Sequence, residues 1–305
     1  MTVSIINALP NMLDASTLLS TIKALKIPKY NIDSLDNRKE EIIEWTSPIV
    51  NQLLKNYFQS EVRGLDRIPK GAALYVGNHN SAMMVFDSFI FCSELAIVNG
   101  LDDVPYGLGH EVTISLPFVH QIIVPLGAVR ASHTNAHRLF QAGKKVLVYP
   151  GGDYDAMRPF RHRNKIVFGG RKGYIRLALN ENVPIVPVVA AGAHSTYIII
   201  DDLRWLARLL RIDKTMRMKV FPLTLSMPWG LTLGPVFVHI PYPSQILIEV
   251  LPPISFDRTG PDASQDTKYV SECAERVEST MQQAMDRLVN ERKPFYKNIF
   301  SKIIG

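Results

Sequence analysis

The segment AALYVGNHNS, residues 72–81, decides the fold class of this 305-residue chain. Its first half is a short apolar run that ends at Gly77, which is typical of a buried strand. Two similar runs follow, with helical patterns between the runs. The later runs occupy 145–149 and 184–189, and the helical patterns occupy 132–142 and 172–179. Strands that alternate with helices predict an α/β fold with a largely parallel central sheet flanked by helices.

Helical extensions flank this α/β region on both sides. Apolar residues recur at helical spacing from Ile42 to Tyr57, with Pro48 inside the pattern, and an internal proline kinks a helix or starts a new one. The stretch 262–292 repeats apolar residues three or four apart, which predicts an amphipathic helix that packs on the domain. A last strand is predicted at 246–251. We therefore expect an N-terminal helical extension with a role in membrane docking at 1–60, an α/β domain at 61–255 and C-terminal helices at 256–305.

The composition is that of an ordinary globular protein with a mild basic excess. Hydrophobic residues make up 47% of the chain, and 34 Lys and Arg stand against 28 Asp and Glu, a net charge of +6. Such an excess suits an anionic partner, either phosphate, nucleic acid or an anionic membrane surface. Two cysteines, Cys92 and Cys273, cannot form a disulfide framework, which favours a reducing compartment.

Neither a membrane span nor a secretory signal is predicted. The stretch between Lys219 and Glu249 carries no charge and is long enough to span a bilayer. Five prolines break it, and the backbone groups that they free would be unsatisfied in hydrocarbon. Residues 1–13 have no basic residue before their apolar ones, unlike a signal peptide. We expect a cytoplasmic protein, either free or peripheral on the cytoplasmic side of a membrane.

The three predicted strands end in loops rich in polar residues and glycine, where ligands of parallel α/β sheets bind. His79 follows the first strand and seven residues separate it from Asp87, a combination that suits a general base oriented by a carboxylate. A solvated loop histidine is the alternative. On one straight helix the two residues would lie about 12 Å apart along the axis and about 80° apart in rotation. The pairing therefore requires residues 80–86 to loop back before a helix begins near Asp87.

From about Glu61 to Thr196 the sequence resembles the glycerophospholipid acyltransferases, including the 1-acyl-glycerol-3-phosphate acyltransferases. The order and spacing of five segments carry the resemblance: 61–69 with Glu-Val-Arg-Gly-Leu and Ile-Pro, 78–87 with Asn-His and Asp, 126–130 with Leu-Gly-Ala-Val-Arg, 148–152 with Val-Tyr-Pro-Gly-Gly, and 183–188 with Val-Pro-Ile-Val-Pro-Val. Two features depart from the family pattern. Seven residues separate His79 from Asp87 where the family has four, and Gly151-Gly152-Asp153 replaces Glu-Gly-Thr, a variant nearer to diacylglycerol and phytyl-ester acyltransferases.

The resemblance implies acyl transfer from acyl-CoA or an acyl carrier protein to a lipid hydroxyl, without a further cofactor. His79 would remove the hydroxyl proton and Asp87 would orient the imidazole. No covalent acyl-enzyme is needed, and the chain lacks a Gly-x-Ser-x-Gly segment. The implied substrate-binding residues are Asn78, Arg130 at the acceptor-phosphate position, Gly151, Gly152, Asp153 and Arg158. The two glycines would lie close to substrate or stabilise an oxyanion, or form a plain turn.

Basic residues concentrate in two segments. Residues 158–176 hold seven Lys and Arg without an acidic residue, and residues 204–219 hold six against Asp213. The first segment suits phosphates of coenzyme A or lipid head groups, or is a solvated face. The second interleaves its cations with Trp205, Leu209 and Ile212, as a helix lying on a membrane does, although such a stripe also packs on its own core. No nucleic-acid-binding motif accompanies either segment, so no nucleic-acid partner is expected.

Two alternatives remain open from the sequence. Asp153 and Asp155 form an Asp-x-Asp pattern after a buried strand, which holds a divalent metal in glycosyltransferases. A peripheral lipid-binding protein that lost the catalytic pair is the non-enzyme alternative, motivated by the long gap between His79 and Asp87. The other histidines show no metal-binding pattern, and His194, near the third strand end, is the one that a structure should place.

Overall fold

A computed structural model describes residues 28–82, 84–212, 219–234, 236 and 238–293. Its centre is a seven-stranded sheet in the order β1-β10-β6-β2-β5-β3-β4. The strands are β1 Glu61–Arg63, β2 Ala73–Gly77, β3 Tyr106–Gly109, β4 Ala128–Arg130, β5 Lys145–Val148, β6 Ile185–Ala191 and β10 Leu247–Val250. Five neighbours, from β6 to β4, run parallel, whereas β10 and β1 run in the opposite direction. The prediction of a largely parallel sheet is confirmed.

Helices cover both faces of the sheet. They are α1 Glu40–Phe58, α2 Phe86–Val98, α3 Glu111–Ile114, α4 Val119–Ile123, α5 His133–Gln141, α6 Asp153–Ala156, α7 Gly173–Glu181, α8 Arg204–Leu209, α9 Pro261–Gln265 and α10 Thr267–Glu291. Side chains of β2 alternate between the two layers: Leu74 and Val76 pack with α5, α7 and α10, and Tyr75 packs with α2. Because both faces of the sheet centre are buried, the central strands β2 and β6 are apolar throughout, as buried parallel strands require.

Both predicted flanking helices are present. The amphipathic C-terminal helix is α10, which buries its apolar side against the sheet from Val270 to Leu288. The N-terminal helix α1 runs through Pro48 without ending. The carbonyl that would pair with the missing proline N–H belongs to Glu44, an exposed residue. The rest of the N-terminal extension, residues 1–27, lies outside the described residues.

A second, three-stranded antiparallel sheet follows β6, and the sequence did not predict it. It contains β7 Ile198–Asp201, β8 Leu223–Ser226 and β9 Gly230–Leu233, in that order. Tyr197 and Ile199 pack against Ala82, Ala156 and Met157, which belong to the loops after β2 and β5. The small sheet therefore covers those loops. Among the described helices, none combines the length and the apolar character needed to cross a bilayer.

Candidate active site

The loops after β2, β5 and β6 meet at one edge of the sheet, as the fold class predicts. The backbone N–H of His79, after β2, donates to Asp155, after β5, at 2.6 Å. Ser81 contacts the third loop, where its hydroxyl hydrogen bonds to the hydroxyl of Thr196 at 2.6 Å and donates to the Ala193 carbonyl. The three predicted loops therefore form one site, and His79 lies in it.

The His79 ring is a neutral imidazole that is partly exposed. It packs against the Tyr149 ring with centroids 4.9 Å apart, and its Nδ1 is buried without a hydrogen-bond partner. Burial lowers the pKa of His79 to about 4, and the charge of Arg158 adds to this effect. A neutral imidazole at physiological pH has a free lone pair, which is the state that a general base needs.

A buried ion pair fixes the backbone on both sides of the His79 ring. Arg158 Nη1 lies 2.9 Å from Asp155 Oδ1, and both side chains are at most 2% exposed. Asp155 accepts from the His79 N–H, while Arg158 donates to the His79 carbonyl at 2.7 Å. The ion pair thus holds the peptide groups of His79 from both ends, a positioning role that the sequence did not indicate.

Arg158 is not the substrate-binding residue that the resemblance implies. Its remaining donors contact the carbonyls of Asp155, His162 and Arg163 and the Asn80 side chain. A guanidinium that is buried and fully used within the protein has no donor left for a ligand. The i, i+3 spacing from Asp155, on the short helix α6, to Arg158, two residues after its end, was the available signal.

Asp87 lies in the first turn of α2, and the described residues between His79 and this helix (80–82, 84 and 85) are not helical, so the condition for bringing Asp87 towards His79 is met. The two side chains nevertheless make no hydrogen bond. Asp87 Oδ2 accepts instead from Asn80 Nδ2 at 2.7 Å, and Oδ1 is buried without a partner. Burial raises the pKa of Asp87 to about 6, although the Asn80 hydrogen bond opposes the shift. Asn80 was not among the predicted site residues, yet its side chain hydrogen bonds to both Asp87 and Arg158.

The loop after His79 turns sharply. Ser81 and Ala82 both have positive φ values, 54° and 53°, which cost L-residues free energy. Buried hydrogen bonds hold this turn: the Ser81 N–H donates to His194 Nδ1 at 3.3 Å, and His194 Nε2 contacts the Arg158 carbonyl at 2.8 Å. His194 is therefore neutral with its proton on Nε2, consistent with burial that lowers its pKa well below the usual range. It supports the loop.

Three more predicted residues are engaged within the protein. Asn78, 1% exposed, bonds both to the N–H and to the carbonyl of Ala190, which corrects its implied role in substrate binding. Arg130 donates two hydrogen bonds to Asp33 and lies on the edge strand β4. Asp153 accepts from Arg171 at 2.7 Å and from the Lys219 N–H at 2.8 Å.

The two glycines after β5 have different roles. A Cβ at Gly151 would lie 2.3 Å from Asp155 Cβ and 2.4 Å from the Val167 carbonyl, so only glycine admits this packing. Gly152 adopts φ +51°, and its N–H donates to the Tyr149 carbonyl. Its N–H is therefore not available to an oxyanion, and the Gly151 N–H is the candidate that remains.

The Asp-x-Asp pattern does not form a metal site. Asp155 is paired with Arg158 inside the protein, and Asp153 is paired with Arg171. Two carboxylates that are each bound to a guanidinium and held apart in this way do not offer the hard oxygen ligands that Mg²⁺ requires. Across the described ranges, no three His, Cys, Asp or Glu side chains are grouped as metal ligands.

A model of the acyltransferase family matches residues 59–191, which contain β2, β5 and every site residue named above up to Arg158. An uncharacterized protein of Mycobacterium tuberculosis is 30% identical over 255 residues, 83% of this chain and 67% of that protein. The chain belongs to the acyltransferase family. It is therefore an enzyme that transfers acyl groups.

This acyltransferase is also similar to a mouse protein named DGAT1/2-independent enzyme synthesizing storage lipids. The two are 25% identical over 128 residues, 42% of this chain and 37% of the mouse protein. Among solved structures, the crystal structure of the 1-acyl-sn-glycerophosphate (LPA) acyltransferase PlsC from Thermotoga maritima matches with a TM-score of 0.49 and 16% identity, covering 82% of each chain.

Proposed function

We propose that this acyltransferase moves a fatty acyl group from an acyl thioester, acyl-CoA or acyl carrier protein, to the hydroxyl of a lipid acceptor such as a lysophospholipid. The observation that carries the proposal is a neutral, partly exposed imidazole at the carboxyl end of β2, with its backbone fixed by a buried ion pair. The name of the mouse relative refers to storage lipids, which supports a lipid acceptor. The reaction needs no cofactor beyond the acyl donor.

His79 acts as the general base in this proposal. With Nδ1 assigned to Asp87, Nε2 accepts the acceptor's hydroxyl proton while the oxygen attacks the thioester carbonyl, and the resulting imidazolium returns the proton to the departing thiolate. Asp87 has an unpaired Oδ1, and His79 has an unpaired Nδ1. A carboxylate near the imidazolium stabilises its charge, and a hydrogen bond between Asp87 Oδ1 and His79 Nδ1 would complete the pair. The Gly151 N–H is the proposed donor to the oxyanion.

We place the enzyme on the cytoplasmic side of a membrane in this proposal, and exposed apolar residues support the contact with the membrane surface. Five apolar side chains share one side of α1 and are 41–72% exposed: Ile42, Trp45, Ile49, Leu53 and Tyr57. The Tyr57 hydroxyl donates to the Pro241 carbonyl, which connects this side of α1 to the exposed apolar residues Trp229, Leu231, Leu233, Val238 and Ile240. Exposed apolar side chains on two elements that are joined in this way suit a peripheral or monotopic enzyme.

Thiol release tests the reaction. Purified enzyme with acyl-CoA and a panel of lysophospholipids, diacylglycerol and fatty alcohols should release free coenzyme A with at least one acceptor. His79→Ala should lower the rate by about 100-fold or more, as loss of a general base does. His133→Ala, which removes an exposed histidine from α5, is the matched control and should leave the rate unchanged. Absence of thiol release with every acceptor would reject the proposal.

A non-catalytic lipid-binding protein of the same fold is the second candidate. The observation that favours it is the missing hydrogen bond between His79 and Asp87, because Asp87 Oδ2 is committed to Asn80. In that case His79→Ala would leave the binding of lipid vesicles unchanged and no acceptor would be acylated. Turnover that depends on His79 would exclude this candidate.

A further inference from the structure

Three cations surround one aromatic ring beside the candidate site. The guanidinium carbons of Arg204 and Arg171 lie 4.8 and 5.3 Å from the centroid of the Tyr154 ring, and Lys219 Nζ lies 5.4 Å from it. These distances are within the range of cation–π attraction. The three residues come from three separate parts of the chain, so the fold itself brings them together. We refer to Arg171, Arg204 and Lys219 as the Tyr154 cation cluster.

The cluster has more positive charge than its carboxylates balance. Asp153 pairs with Arg171 and Asp202 pairs with Arg204, each at 2.7 Å. Within the ranges that the structure describes, no carboxylate lies within 4.0 Å of Lys219 Nζ. Both arginines are accessible, with 37% and 46% of their side chains exposed. Cations that repel one another are stabilised when an anion joins them, so this cluster suits a negatively charged group.

The cluster also has the right place for a substrate contact. Tyr154 stands between Asp153, which pairs with Arg171, and Asp155, which accepts the His79 N–H on the same short helix, α6. The charge of Asp153 is close enough to act on the pKa of His79. Arg130, at the position that the sequence resemblance assigns to an acceptor phosphate, is a single cation paired with Asp33. The cluster instead combines three cations around one ring, and Lys219 has no carboxylate partner among the described residues, so the cluster suits this role better.

We propose that the Tyr154 cation cluster binds the phosphoryl group of a substrate. Two forked guanidinium groups and one ammonium group match the oxygen atoms of a phosphate. The inference rests on the proposed function for its ligand, because the phosphoryl group belongs either to the coenzyme A part of the donor or to a glycerophosphate acceptor. The site holds that group while the reacting atoms lie at His79.

Isothermal titration with soluble, acyl-free probes tests this site without turnover. The probes are coenzyme A and glycerol 3-phosphate, compared with their phosphate-free parts, an equimolar mixture of pantetheine and adenosine for the first and glycerol for the second. We expect one phosphorylated probe to bind and its counterpart not to bind. Arg204→Ala and Lys219→Ala should each weaken binding by about tenfold or more, as loss of a charged hydrogen bond does. Binding of coenzyme A assigns the cluster to the donor, and binding of glycerol 3-phosphate assigns it to the acceptor.

Lys70→Ala is the matched control. Lys70 is exposed and precedes β2, so it lies at the opposite edge of the sheet from the site, and its loss changes the net charge equally. The proposal is overturned if neither phosphorylated probe binds, or if the two cluster variants bind as tightly as the Lys70 variant. Phosphate-dependent binding without acyl transfer would instead reject the proposed function and leave the anion site standing.

Discussion

The carboxylate of Asp155 accepts the backbone N–H of His79 at 2.6 Å, so a fully buried side chain after β5 fixes the main chain after β2. Its other oxygen pairs with Arg158, which in turn donates to the carbonyl of His79. The position of the imidazole is therefore set by the two peptide groups that flank it. The ring itself keeps one nitrogen free for chemistry.

Asp155→Asn should destabilise the protein strongly. The substitution keeps the shape of the side chain but leaves the Arg158 charge buried without a counter-ion, which costs about 3–5 kcal/mol in buried pairs. Urea denaturation of both proteins measures the difference in the free energy of unfolding. The double variant Asp155→Asn/Arg158→Met should recover part of the loss because it removes the uncompensated charge. A single variant as stable as the wild type would contradict the role of this ion pair.

Stability should depend on pH through Asp87. Its pKa is raised to about 6, so between pH 4 and 6 the folded protein keeps a proton that the unfolded chain releases, and stability falls as pH rises. A shift of this size corresponds to about 3 kcal/mol. Asp155, whose pKa burial also raises to about 6, acts in the same direction, whereas the lowered pKa values of His79 and His194 act in the opposite direction and mask the slope.

Asp87→Asn removes only the first contribution. In urea titrations at pH 4 and pH 6, we expect the stability of this variant to rise with pH more steeply than that of the wild type, because the His79 contribution remains. Asp286→Asn, a change at the exposed side of α10, should leave the wild-type dependence intact. Identical pH dependence in the wild type and Asp87→Asn would show that Asp87 has an ordinary pKa.

Gly151→Ala should distort the loop that carries Asp155. The added methyl group would lie within 2.4 Å of two atoms, Asp155 Cβ and the Val167 carbonyl oxygen, neither of which is the end of a flexible side chain. Overpacking of this kind costs about 1–3 kcal/mol. Thermal unfolding provides the measurement. Gly173→Ala is the control, since no atom lies within 4 Å of the Cβ built there, and it should be neutral or slightly stabilising.

The apolar side of α1 should affect membrane binding without affecting stability. Trp45 is 72% exposed, and Trp45→Ser should reduce sedimentation with phospholipid vesicles several-fold. The free energy of unfolding should stay within about 0.5 kcal/mol of the wild-type value. Ile43→Ala, on the buried side of the same helix, should show the reverse pattern, with normal vesicle binding and lower stability. Equal vesicle binding by Trp45→Ser and the wild type would remove α1 from the proposed membrane surface.

The alternation of apolar runs and helical patterns was sufficient to predict the buried strands β2, β5, β6 and β10, because strands buried on both faces must be mostly apolar, as β2 is. The short strands β1, β3 and β4 gave no such run and were not predicted. The small sheet was not predicted. Its strands β8 and β9 lie in the charge-free stretch between Lys219 and Glu249, where only the missing charge and the prolines were interpreted. Side-chain roles were harder still. A basic residue in a sequence is equally compatible with solvent and with a buried network, and Arg158 differs from Arg204 only in what the fold places around it.

The side-chain amide of Asn78 takes the place of a main-chain peptide group in the sheet. Its side-chain amide offers one donor and one acceptor to Ala190 on β6, which is what the next main-chain unit of β2 would have offered. The main chain can therefore leave the sheet directly after Gly77 and carry His79 outward, while the neighbouring strand keeps its pairing. Aspartate would lack the donor and leucine would lack both groups, so at this position the side chain is a substitute for backbone.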